Sequence, residues 1–148
     1  MRVAVTTDLP APIERCYEFV TDPSRLQEWV TVHERVLEAP PRPLRAGAEM
    51  VQQLRVAGRP VVVRWRATKV EPPTLVEWEG TGPLHARARV IYRFSPNASG
   101  GTHFDYVNEY ELPGGPLGRL AGKTVAMLAR REAETSLERL RRLLKTAT

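Results

Sequence analysis

The sequence predicts an α+β fold: a seven-stranded antiparallel sheet, apolar on one face, wrapped around one long C-terminal helix, with two short helices after the first strand. Three observations carry this. Over residues 31–112, apolar and polar side chains alternate in segments broken by Gly, Pro and Asn, as in antiparallel strands joined by short turns. Over residues 116–144 the period changes to that of a helix, in the longest such stretch of the chain. Between the first alternating segment and the others, Pro10, Pro12 and Pro23 punctuate two short helical segments.

The chain opens with a strand over residues 2–7, where Val3 and Val5 share a face. Pro10 and Pro12 end it and suit the start of a helix in which Ile13, Cys16, Tyr17 and Val20 recur at helical spacing. Asp22 is placed to cap a second helix opened by Pro23, which carries Leu26 and Trp29 inward. Further strands are predicted at residues 32–39, 49–56, 61–70, 74–80, 86–94 and 102–112. The proline-stiffened PPRPL segment separates the first two, and SPNASGG closes the last hairpin.

Alternation assigns faces. Met50, Gln52 and Leu54, then Val63, Trp65 and Ala67, then Val76 and Trp78, point one way. Val90, Tyr92 and Phe94, and Phe104, Tyr106, Asn108 and Tyr110, join them. Arginines such as Arg64, Arg66, Arg87 and Arg89 and acids such as Glu77, Glu79, Glu109 and Glu111 point the other way, so that face is expected to be charged throughout. On the long helix, Ala121, Val125, Leu128, Ala129, Ala133, Ser136, Leu140 and Leu143 share a broad face opposite Arg130, Glu134, Glu138, Arg141 and Lys145. Its cover is the apolar sheet face, and its alanines leave room beneath it.

At 148 residues the chain fits one domain, residues 1–148, able to bury roughly 70% of its unfolded surface. Its 42% apolar and 26% charged content is that of an ordinary globular protein, and no apolar run approaches the ~20 residues of a membrane span. The alternating start is unlike a signal peptide, and Cys16 is the one cysteine, so a cytoplasmic setting is expected. The net charge of +5 is interleaved with acids and the aromatics fall on the inner face, which argues against nucleic-acid binding. The expected state is a monomer or homodimer without integral membrane association.

Three stretches carry a family resemblance: DLPAPIERCYEFVTDPSRLQEW after the first strand, ATKVEPPTLVEWEG across a tight turn, and GGTHFDYVNEYELPGG before a helix ending in SLERLRRLL. Together, over essentially the whole chain, the sequence resembles the START-like, or SRPBCC, superfamily. The nearest branch is the polyketide cyclase/dehydrase and lipid-transport group. The resemblance implies a helix-grip fold with an elongated cavity between a curved sheet and the long helix. It implies no single chemistry, since members bind, carry, cyclise or sense hydrophobic molecules.

The chain contains no HExxH, GxSxG, P-loop or CxxC motif, and its histidines are His33, His85 and His103. With His85 and His103 outward, neither a metal site nor a cofactor is expected. His33 falls where relatives place residues at the cavity mouth. Cyclase relatives commonly use a cavity arginine, yet Arg64 and Arg66 alternate outward here, which ranks binding above catalysis. The expected ligand wall is Trp29, Leu54, Trp65, Trp78, Tyr92 and Tyr106, facing Leu120, Thr124 and Leu128, with Gln52, Asn108 and His33 for polar recognition.

The expected function is binding or transport of a small hydrophobic ligand that is aromatic, polyketide or lipid-like. The alternative is a polyketide aromatase/cyclase or dehydrase in which Tyr106, Asn108 and Glu132 act as acid, base and oxyanion donor. A third reading is a protein-partner module with a vestigial cavity. Glu132 either faces the cavity, where burial would raise its pKa, or reaches solvent at the margin of the stripe or pairs with Arg131 or Arg139.

Overall fold

The computed structural model describes residues 1–111 and 116–146, without the side chains of residues 116–125 and 146. The elements are β1 (Arg2–Leu9), α1 (Ile13–Thr21), a 3₁₀ turn (Pro23–Arg25), α2 (Leu26–Trp29), β2 (His33–Glu38), β3 (Glu49–Val56) and β4 (Arg59–Glu71). They continue with β5 (Leu75–Thr81), a second 3₁₀ turn (Pro83–His85), β6 (Arg87–Pro96), β7 (Thr102–Glu111) and α3 (Pro116–Thr146). The strands form one antiparallel sheet in the order β1-β7-β6-β5-β4-β3-β2. Strands β2 to β7 are successive hairpins, and β1 closes the row beside β7. Each expected element is present.

Local chemistry explains the boundaries. The Asp22 carboxylate accepts hydrogen bonds from the Ser24 N–H at 3.0 Å and from the Ser24 hydroxyl at 2.7 Å, and Pro23 opens the turn behind it. Leu26 and Trp29 are buried at 6% and 0% exposure, so α2, only four residues long, is held by its inward side chains. Ala57 and Gly58, both at positive φ, form the two-residue turn of the β3–β4 hairpin. That turn is tighter than the sequence suggested, and Pro60 therefore lies within β4, opposite Arg55.

The core lies between the inner face of the sheet and α3. Phe94 and Phe104 are cross-strand partners with ring centroids 4.9 Å apart, and Tyr17 of α1 meets Phe94 edge-on at 5.6 Å. Leu140 and Leu144 of α3 are fully buried in the same cluster. The buried seam of α3 runs through Ala133, Ser136, Leu137, Leu140 and Leu144. Leu128, expected on that face, is 56% exposed: it lies five residues before Ala133, about 140° round the helix.

The outer face is not charged throughout. Ile91 and Val107, direct cross-strand partners, and Leu75 form a small buried cluster there. Each was hidden in the sequence among flanking charges. Pairs such as Arg89–Glu77 at 3.1 Å surround the cluster.

Candidate functional site

The inner face holds a row in which large residues flank small ones: Met50, Trp65, Gly80, Ala88 and Tyr110 are successive cross-strand neighbours from β3 to β7. Trp65 lies over Gly80. A Cβ added at Gly80 would stand 2.6 Å from Trp65 Cε3 and 2.8 Å from Val63 Cγ1, so only glycine lets the indole cross the strand. Gly80 was not recognised in the sequence as part of the site, although a glycine inside a strand pattern signals such an approach.

The indole N–H of Trp65 donates to Gln52 Oε1 at 2.9 Å, and Gln52 Nε2 lies 2.7 Å from His33 Nδ1. These two bonds orient the whole chain of groups. An indole is a donor only, so it fixes the Gln52 oxygen toward itself and turns the amide NH₂ toward the histidine. His33 Nδ1 must then accept, which leaves the proton on Nε2 and the ring neutral. Burial pushes the His33 pKa down, in the same direction. A register shift directly after His33 in the β2–β3 pairing sets its place beside Gln52.

Deeper along the inner face, Trp29 packs against Tyr92 and Tyr106 with centroids 6.1 and 6.0 Å away, and the two tyrosines stack at 5.5 Å. Burial raises the pKa of Tyr92 and of Tyr106; for Tyr106 a hydrogen bond from Asn108 opposes the rise. Tyr110 is raised as well, chiefly by burial. All three hydroxyls therefore remain protonated. Among the described residues, Asn108 Oδ1, Trp29 Nε1 and the Tyr17 hydroxyl are buried without a hydrogen-bond partner.

The expected site residues divide accordingly. Trp29, Gln52, Trp65, Trp78, Tyr92, Tyr106 and Asn108 are buried on the inner side, and His33 and Leu54 are half-buried. Leu120 and Thr124 lie outside the described side chains, and Leu128 stands exposed. Glu132 takes the course to solvent and not the one into the cavity. It is exposed, and its carboxylate accepts a hydrogen bond from the Thr31 hydroxyl just after α2. One residue before Ala133, it sits about 100° from the buried seam. Tyr106 and Asn108 are thus brought together, and Glu132 is not. The Thr31–Ser136 contact, in which the Thr31 N–H donates to the buried Ser136 hydroxyl at 3.1 Å, was not foreseen and ties α2 to α3.

Relatives share this architecture. A protein of Mycobacterium tuberculosis, Rv1546, is 31% identical over 127 residues, covering 83% of this chain and 87% of its own. The M. tuberculosis toxin Rv0910 is 25% identical over 99 residues, covering 67% of this chain and 69% of its own. A conserved Geobacillus kaustophilus protein of known crystal structure superposes with a TM-score of 0.78 at 14% identity, over 99% of this chain and 97% of that one. The family described as polyketide cyclase/dehydrase and lipid transport matches residues 1–145. A match of that extent, on a helix-grip sheet and helix of the expected order, makes the chain a member of the polyketide cyclase/dehydrase and lipid transport family.

Proposed function

We propose that this protein binds a small hydrophobic ligand, aromatic, polyketide or lipid-like, between the inner face of the sheet and α3. The observation that carries the reading is the buried Asn108 Oδ1, unpartnered among the described residues, next to an aromatic nest whose Trp29 Nε1 is also unpartnered. Leaving such atoms unpaired costs about 1–3 kcal/mol each, and a ligand with one hydroxyl and one carbonyl would satisfy both. The small Ala88 between Gly80 and Tyr110 supports it as a place where a short side chain leaves space. His33 and Gln52 would orient the polar end of the ligand near the β2 edge.

Binding is favoured over catalysis by the chemistry of the groups present. The one carboxylate considered as a cavity acid, Glu132, is bonded to Thr31 outside. A cytoplasmic carrier, monomeric or homodimeric, fits the single buried thiol Cys16. Native mass spectrometry of protein purified from its host tests this. A co-purified small molecule, displaced by a hydrophobic dye and excluded by Ala88→Phe, is expected. Protein that is consistently empty and ignores the dye would sink the proposal.

A further inference from the structure

The largest concavity described lies on the other side of the sheet. It has a volume of about 890 Å³, within the roughly 300–1,000 Å³ of small-molecule sites. Each of β3 to β7 contributes two outward side chains flanking one inward residue, and none of Gln52, Trp29 or Asn108 lines it, so the groove crosses the outer face. Two cross-strand rows form its sides. In the first, Glu49, Arg66, Glu79, Arg89, Glu109 and Arg2 succeed one another across six strands, so each arginine has an acid beside it. Arg89 and Arg2 both pair with Glu109, at 3.9 and 3.8 Å.

The second row, Val51, Arg64, Thr81, Arg87 and Glu111, keeps that rule only at its β7 end, where Arg87 faces Glu111. Its middle reads Arg64, Thr81, Arg87, with a hydroxyl where the first row has Glu79. Arg64 and Arg87 are exposed, stand two strand spacings or about 10 Å apart, and form no ion pair among the described residues. Arg66, two residues from Arg64 on the same face, is likewise unpaired among them. Within the groove, strands β4, β5 and β6 present four arginines around Glu79 and Thr81, with Glu49, Glu109 and Glu111 on the flanking strands. In the first row every arginine has acids as register neighbours, whereas in the second Arg64 has none and Arg87 has Glu111 on one side only.

We propose that this groove is an anion site for a phosphate-bearing ligand, the phosphate held between Arg64 and Arg87 over the Thr81 hydroxyl. Two forked guanidinium donors on opposite sides of a hydroxyl suit a tetrahedral dianion better than a planar carboxylate, which one guanidinium would saturate. The phosphate comes either from a soluble phosphorylated molecule or from a phospholipid head group, and the groove chemistry is the same for both.

The test measures binding of inorganic tripolyphosphate by calorimetry, and of phosphatidylglycerol against phosphatidylcholine vesicles by co-sedimentation, at physiological ionic strength. Wild type is compared with Arg64→Gln/Arg87→Gln and with Arg141→Gln on the outward face of α3. Loss of at least about tenfold in affinity in the double variant alone is expected. Tripolyphosphate binding marks a soluble ligand, and binding to phosphatidylglycerol vesicles without it marks a head group. Hydrophobic-dye binding inside the fold stays at wild-type level in the double variant, which separates this site from the inner cavity. Absence of binding to both probes, binding retained in the double variant, or tighter capture of a single-stranded oligonucleotide than of tripolyphosphate would overturn the proposal.

Discussion

Gln52 donates to His33 Nδ1 across 2.7 Å, and Trp65, bonded to the other end of the same amide at 2.9 Å, fixes the direction of that bond. Protonating His33 at Nδ1 would set two donors face to face. The histidine is neutral when folded, and its pKa lies below the ordinary value of 6.5.

Stability should therefore depend on pH with a definite sign. Above the ordinary histidine pKa, both folded and unfolded forms are neutral at His33 and the full stability is present. As pH falls through 6.5 toward the lower folded value, the unfolded chain takes a proton the folded one refuses, and stability is lost. His33→Asn, which keeps an acceptor for the amide but does not titrate, should flatten this part of the curve. Thermal unfolding of both proteins between about pH 5 and pH 7.5 checks it.

Trp65→Phe removes the donor that orients Gln52 and leaves the buried Gln52 Oε1 without its partner. A loss of about 1–3 kcal/mol is expected, with the His33 pKa moving up toward its ordinary value because the amide is free to turn over. Denaturant unfolding gives the first quantity, and NMR titration of the His33 ring protons gives the second. A loss of stability with an unmoved His33 would show that Trp65 only fills space.

Gly80→Ala should force the Trp65 indole off the strand, since the new methyl would sit 2.6 Å from its ring. Overpacking of this kind costs about 1–3 kcal/mol. A shift in tryptophan fluorescence should accompany it, and an unchanged spectrum would mean that the ring had never been held there.

Asn108→Leu separates stability from recognition. The substitution keeps the volume and removes an unpaired buried oxygen, but also the hydrogen bond to Tyr106, so the ligand-free protein should change in stability by less than the ~1–3 kcal/mol of a single orphaned group. Affinity for the small ligand should fall, by about 0.5–1.5 kcal/mol if one neutral hydrogen bond is lost. Parallel melting and dye-displacement curves measure the two effects.

Ser136→Ala removes the acceptor for the Thr31 N–H at the α2–α3 contact and should cost about 0.5–1.5 kcal/mol. Glu132→Gln keeps an oxygen for the Thr31 hydroxyl and should leave dye binding unchanged. Reduced dye affinity in Glu132→Gln would return that carboxylate to the cavity.

The sequence carried the order of elements because each is encoded locally. Alternation, proline placement and the helical period act over a few residues, and the Asp22–Pro23 cap appears where its residue types put it. It also carried the inward set from Gln52 to Asn108, since a strand can send alternate residues only to opposite faces. The relay from Trp65 to His33 was not legible: it joins three strands, and which atom of an amide faces which neighbour has no local code. Leu128, and Glu132 as a cavity acid, failed for a related reason. A helical wheel gives a broad arc, and only packing against β1 and α2 decides which residues form its seam. The outer groove was hidden too, because its arginines and acids read along each strand as plain alternation. Sequence alone thus determined the fold and the faces, through the fixed geometry of strand and helix. Tertiary structure alone decided which charges stay unpaired and which polar groups meet, because cross-strand register joins residues that the chain keeps far apart.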